Sequence, residues 1–170
     1  MKKIIIVIAL MAIIGTGTAF ADHPEGWGIG IYNTFDHTLF NGTLHGFGAG
    51  LTIVFPGFPV FFYFDLTNNF NHVAAAGDYY FIDDNIDGPW HWYFGLGLGV
   101  ASWINDKKLG LATALRIPIG VSVQPIDWFE FFIQAVPQVG IRFVGHEGDK
   151  EGFGIYNRFW GGNIGIRFWF

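Results

Sequence analysis

Cysteine is absent from the 170-residue chain, so no disulfide framework holds it together and no lipid-modified cysteine can follow an export signal. Charge is scarce as well. Charged residues make up 14% of the chain, where soluble domains carry about a quarter. No internal run reaches the 18 or so apolar residues that a membrane helix needs. Yet 51% of the residues are hydrophobic and 19% aromatic. Together these exclude a disulfide scaffold, a helical membrane protein and a disordered chain, and they weigh against an ordinary soluble enzyme. What remains is apolar surface dealt out a few residues at a time, as in a membrane-embedded β-barrel.

The ends of the chain carry the first positive signals. Met1-Lys2-Lys3, an apolar run from Ile4 to Ile14 and the small-residue site Ala19-Phe20-Ala21 read as a cleavable signal peptide. The expected division is therefore 1–21 as signal peptide and 22–170 as a single barrel domain. Without Lys2 and Lys3, acidic residues outnumber basic ones two to one, which argues against nucleic acid as a partner. At the other end, Ile164, Ile166, Phe168 and Phe170 alternate with Asn163, Gly165 and Arg167, and Trp169 comes last on that second face. This is the period of a strand with one apolar face. Ending on Phe in that register, it resembles the C-terminal signal that outer-membrane barrels present to their assembly machinery.

The same alternation predicts eight strands, near 26–33, 43–55, 58–67, 72–82, 90–104, 109–123, 127–144 and from 163 to the end. Pro56-Gly57, the cluster from Asp83 to Pro89 and the stretch from Gln124 to Ile126 are expected as periplasmic turns. The segments 34–42, 68–71, 105–108 and 145–161 are expected as extracellular loops. Pro118 cannot donate to a ladder, so a bulge or bend is expected there. An even strand number leaves both termini on the periplasmic side.

The two faces of these strands differ in chemistry. One is large and apolar, suited to lipid; the other is mostly Gly, Ala and Tyr, suited to the interior of a narrow eight-stranded cylinder. Trp27, Tyr79, Tyr80, Trp92, Trp128 and Trp169 lie near strand ends, where aromatic girdles sit. The inward face is expected to hold Asp65, Asp78 and Glu130 with Arg116, Arg142 and Arg167. That is a balanced set, since an unpaired buried charge costs several kcal/mol. Counting residues from the strand ends predicts a Glu130–Arg167 ion pair near the periplasmic end. Two uses of the set stay open, a polar pore or gate and a structural plug; eight strands leave little lumen, which favours the plug.

Other motifs carry less chemistry. The run Gly95-Leu96-Gly97-Leu98-Gly99 has glycines at period two inside a strand, whereas a phosphate-binding loop needs a turn and a helix N-terminus. The six histidines (His23, His37, His45, His72, His91, His146) lack metal-ligand spacing. His37 with Asp36, or His146 with Glu147 and Asp149, are conceivable ligands, but solvated loop residues are the simpler account. No cofactor is implied. A lipid-modifying barrel enzyme needs a loop nucleophile, and the only serines, Ser102 and Ser122, fall on strands; no catalytic residue is assigned. The long loop 145–161 is the candidate contact surface, with His146, Phe153, Tyr156, Phe159 and Trp160 among its charges. Alternatively, Tyr156, Phe159 and Trp160 extend the last strand or its girdle.

Three stretches resemble a family of small outer-membrane barrels of spirochaetes and other diderm bacteria: Ala76-Gly77-Asp78-Tyr79-Tyr80, Trp92-Tyr93-Phe94-Gly95-Leu96-Gly97 and Leu115-Arg116-Ile117-Pro118-Ile119-Gly120. Phe131-Phe132-Ile133-Gln134-Ala135-Val136-Pro137 and Gly165-Ile166-Arg167-Phe168-Trp169-Phe170 continue the pattern. The resemblance implies a domain similar to the transmembrane region of outer-membrane protein A and to outer-membrane proteins X and W, and no catalytic residues come with it. The expectation is thus an all-β, eight-stranded antiparallel barrel in the outer membrane of a Gram-negative-type bacterium. Its expected partners are outer-membrane lipid, the barrel assembly machinery and a host or surface ligand. Its expected role is structural or adhesive through external loops. A narrow channel for small hydrophobic molecules is the alternative, and a loop-borne lipid-modifying enzyme the more distant one.

Overall fold

A computed structural model describes residues 24, 26–36, 48–67, 72–105, 108–144, 152–158 and 161–170. They form eleven β-segments and, among the described residues, no helix. The segments are β1 (Gly28–Asp36), β2 (Gly48–Phe55), β3 (Phe58–Thr67), β4 (His72–Asp87), β5 (Trp90–Asn105), β6 (Lys108–Arg116), β7 (Ile119–Ile126), β8 (Phe129–Ala135), β9 (Gln138–Val144), β10 (Gly152–Arg158) and β11 (Gly161–Trp169). All pairings are antiparallel, and β5 pairs with both β6 and β7. Segments β6–β7, β8–β9 and β10–β11 are each one wall strand interrupted midway. The wall therefore has eight strands, and the β1–β11 ladder closes it into a barrel. At the seam Trp27 and Phe170 exchange backbone hydrogen bonds of 3.1 and 2.9 Å.

The size of the barrel follows from its registers. Stepping sideways from Gly30 leads through Thr52, Tyr63, Ala76, Gly99 and Ala114 to Gly140. Sliding five residues down that strand reaches Ala135, whose partner Gly162 faces Phe35, five residues above the start. The total stagger is ten residues. With eight strands this sets a tilt of about 40° and a wall radius of about 8 Å, which side chains can fill.

Prolines interrupt the wall without shifting it. Gly97↔Arg116 and Phe94↔Ile119 belong to one register, so the chain passes Pro118 with no residue inserted. Gly95 N–H still donates to the Pro118 carbonyl at 2.9 Å, and Ile117 N–H to the Pro137 carbonyl at 3.0 Å. Each proline forfeits one ladder bond, because it has no N–H to return. The irregularity expected at Pro118 is therefore a missing bond in an unbroken register and not a bulge. The register does change by one residue further on, between Gln138↔Arg158 and Ala135↔Gly162.

Several predicted boundaries move. The chain does not break at Asp83; β4 runs on to Asp87, with a register shift at Tyr80/Ile82 that turns the Asp83 side chain inward and a second at Asn85/Asp87. The turn there is Gly88-Pro89, with Gly88 at φ 54°; the other positive-φ glycine, Gly57 at φ 68°, occupies the predicted Pro56-Gly57 turn. The third tight turn is Asp127-Trp128, not 124–126. Residues 152–158, expected as loop, alternate Phe153 and Ile155 with Gly154 and pair with β9 as strand β10. The three tight turns and the chain-end seam lie at one end of the barrel, the turn end. The opposite end is the loop end.

Outward positions are apolar and exposed around the whole wall, including Ile29, Ile31, Leu51, Phe64, Leu98, Val100, Leu115, Ile133 and Ile141. Trp27, Phe55, Phe58, Trp90, Trp128 and Phe170 cluster outward near the turn end. Tyr80 and Trp169, expected in such a girdle, point inward instead and are buried, because they fall on the inward phase of β4 and β11. Inward rings take space from inward glycines. Tyr32 faces Gly50 and Gly165 across the ladder, Tyr80 faces Gly95, and Tyr93 faces Gly120. A Cβ on Gly50 or Gly120 would run into the Tyr32 or Tyr93 ring, and one on Gly95 would stand 2.8 Å from Tyr80.

Candidate functional site: the closed lumen

The interior holds three layers of side chains. Nearest the turn end, β8 and β11 set Glu130 opposite Arg167 in register. Arg167 Nη1 donates to Glu130 Oε2 at 2.8 Å, and Trp169 Nε1 donates to the same oxygen at 2.9 Å. The Arg167 guanidinium lies 4.7 Å from the Phe61 and Phe132 ring centres and 5.6 Å from that of Trp169. Rings at this distance attract a desolvated cation, which lowers the cost of burying it.

The middle layer is aromatic. Phe61, Tyr80 and Tyr93 stack in sequence, with ring centres 4.1 and 4.4 Å apart. Tyr63 meets Tyr32 and Phe132 edge-on. Their hydroxyls converge: Tyr63 and Tyr80 oxygens are 2.6 Å apart, and the Gln134 side-chain carbonyl accepts from Tyr80 and Tyr93 at 3.1 Å. The Tyr63, Tyr80 and Tyr93 hydroxyls thus find partners, as low-dielectric surroundings require.

Toward the loop end, Arg116 Nε and Nη2 donate to Asp78 Oδ1 and Oδ2 at 2.8 and 2.9 Å, a two-pronged ion pair. Above it the Thr34 hydroxyl donates to Asp65 at 2.9 Å. Beyond this level several inward positions of β4, β5, β6 and β9 are small, among them Ala74, Ala76, Gly99, Ala101, Ala112, Ala114 and Gly140, while Arg142 follows on the same phase of β9.

The expected six-member charge network is thus two separate pairs. Asp78–Arg116 and Glu130–Arg167 are joined. Asp65 is half-buried and takes its bond from Thr34, while Arg142 is exposed on the loop-end half of β9 and makes no ion pair among the described residues. The strand runs past the filled layers there, so Arg142 stays in reach of solvent. Ile164, Ile166, Phe168 and Phe170 all lie on the outward phase of β11. Of the candidate contact residues, Phe153 is an outward, 71% exposed side chain of β10 and Tyr156 a backbone position in that strand. His146, Phe159 and Trp160 lie outside the described residues. Among the described residues no three His, Asp or Glu side chains stand together as a metal site. His91 is not a loop residue but a buried, inward position of β5.

What the residue pattern did not show was the aromatic–glutamine layer. Its signal was present in Tyr32, Tyr63, Tyr80 and Tyr93, each on an inward phase beside a neighbouring strand's glycine or alanine. The two ion pairs and the stacked rings between them are almost wholly shielded; Asp78 and Glu130 are 0% exposed, and Tyr80 and Tyr93 1%. A water-wide passage would leave its lining side chains accessible. In chemical terms these layers can bear load and seal; nearer the turn end the buried His91 stands opposite the buried Ser122 on the neighbouring strand. No family model, no curated protein and no solved structure matches the chain.

Proposed function

We propose that this chain is a non-catalytic outer-membrane barrel that serves as a sealed anchor and presents its loop end to the exterior. The observation that carries this reading is the pairing of a continuous outward apolar face with a lumen filled by ion pairs and stacked rings. A protein with an apolar outside and a packed inside whose buried arginines are paired is stable only where lipid covers the outside. The turn-end ring of Trp27, Trp90 and Trp128 suits one membrane interface. On this reading the leader at 1–21 directs export, the β11 pattern engages the barrel assembly machinery, and a surface ligand is met by the loops. The resemblance to the outer-membrane protein A, X and W type supports the same location.

Two measurements test it. Purified protein in planar bilayers is expected to show no steady conductance; large, steady openings overturn the sealed-anchor reading. Intact cells are expected to bind surface ligand only while 145–161 is present. The alternative, a narrow path for small hydrophobic molecules, draws on the small-residue lining above Asp78–Arg116, and solute flux in liposomes without ligand binding would favour it.

A further inference from the structure

The apolar outer face is far from even in height. On the outward phase of β6–β7 it runs from Leu109 to Ile126, and on β8–β9 from Phe129 to Phe143. On β1 the unbroken apolar run is only Trp27 to Ile31; the next outward side chain, Asn33, is polar and exposed, and the half-buried Phe35 beyond it lies over Gly162. A strand tilted by about 40° rises about 2.5 Å per residue along the axis. The tall stripes are therefore about 35–40 Å high and the short one about 10 Å, against a usual barrel band of about 25 Å.

The excess lies at the loop end. The turn-end limits of all these stripes fall together near Trp27, Phe55, Trp90, Trp128 and Phe170. The upper part of the tall wall keeps its apolar outer surface: Val73, Val100, Leu109, Leu111, Ile141, Phe143, Phe153 and Ile155 are all exposed. Among the described residues at this height, no charged side chain faces outward; the Arg142 position lies on the inward phase. A strand pair standing free in water carries polar residues on its solvated face, and this one does not. Between Ala75, Ser102 and Thr113 the same surface dips into a groove of about 490 Å³ walled by Val100, Leu111 and Phe143, with the Arg142 side chain at its lining.

We propose that lipid acyl chains cover this raised wall over its full height, so that the barrel sits obliquely and the bilayer is drawn up along β6, β9 and β10. The inference rests on the outer-membrane reading and adds a geometry to it. Lipid is the occupant because the raised surface is continuous with the band below, interrupted by the hydroxyls of Ser102 and Thr113 and, at the groove, by Arg142, whose long stem can lie along acyl chains. The groove takes the methylene segments of one chain. A tilted seat of this kind is one of the ordinary responses to a hydrophobic stretch longer than the local membrane thickness.

The absence of cysteine makes the test clean. Single variants Ile31→Cys, Asn33→Cys, Leu111→Cys and Phe143→Cys, each carrying a nitroxide, are folded into dimyristoylphosphatidylcholine vesicles. Spin-label accessibility is read with oxygen, which concentrates in lipid, and with a water-soluble nickel chelate. Labels at 111 and 143 are expected to give oxygen-to-nickel ratios within about twofold of the label at 31, and well above that at 33. Nickel access at 111 and 143 equal to that at 33 overturns the proposal and leaves the membrane reading intact. Shielding of 111 and 143 from both reagents also overturns it, by showing a second copy or another part of the chain over the wall. Nickel access at 31 itself overturns the membrane reading.

Discussion

Arg167 and Glu130 stand directly opposite each other on β11 and β8, 2.8 Å apart, and Trp169 two residues on donates to the same carboxylate oxygen. β11 thus supplies both groups that neutralise a carboxylate on β8, and its other edge carries the β1 ladder that closes the barrel. Glu130→Gln removes the countercharge and leaves the guanidinium buried among Phe61, Phe132 and Trp169. The expected loss is about 3–5 kcal/mol, read as a lower urea midpoint for folding into lipid vesicles. Replacing both partners, Glu130→Leu with Arg167→Met, is expected to cost much less than Glu130→Gln alone, because no orphan charge remains.

Sealing depends on the rings more than on the upper ion pair. Asp78→Ala with Arg116→Ala is expected to leave planar bilayers silent, since Phe61, Tyr80 and Tyr93 still close the cylinder beneath. Tyr80→Ala removes the centre of that stack together with two hydroxyl contacts. Its expected cost is about 3–5 kcal/mol of stability, and intermittent small conductance is expected in single-channel recording. Steady conductance from the Asp78 and Arg116 variant would assign the seal to the ion pair instead.

Glycine and tyrosine are matched across strands, and the match can be tested by rescue. Gly120→Val forces a side chain into the space of the Tyr93 ring, and the expected penalty is about 1–3 kcal/mol. In a Tyr93→Ala background the same Gly120→Val change is expected to cost almost nothing, because the ring it displaces is gone. A double-mutant cycle on unfolding midpoints in lipid checks this. Simple additivity would show that Gly120 is required for backbone reasons alone.

The strand alternation was legible because the barrel wall has two faces, an exposed apolar outside and packed side chains inside, and period two follows directly. The Glu130–Arg167 pair was legible because both residues sit a few positions from the tight end, where counting is safe. Arg142 was misplaced for the opposite reason: alternation tells which face a residue occupies but not its height, and Arg142 lies above the filled layers. Asp83 was read as a turn residue because its cluster is acidic, whereas two register shifts carry the strand through it. The Tyr–Gly pairing could not be read at all without the registers, since it joins residues from neighbouring strands.

Phe170 serves two purposes that one pair of variants separates. Its backbone exchanges two hydrogen bonds with Trp27 at the closing seam, while its side chain, 79% exposed, ends the outward pattern of β11. Phe170→Gly keeps the backbone pair and removes the side chain. It is expected to fold into vesicles with near-normal stability, yet to assemble poorly in cells if the side chain is what the assembly machinery reads. Deleting Phe170 removes the backbone pair as well, and at about 1 kcal/mol per bond the expected loss in vesicles is about 2 kcal/mol. Heat-modifiable gel mobility reports folding in both settings. Equal assembly of Phe170→Gly and wild type in cells would leave the terminal residue with the seam as its only task.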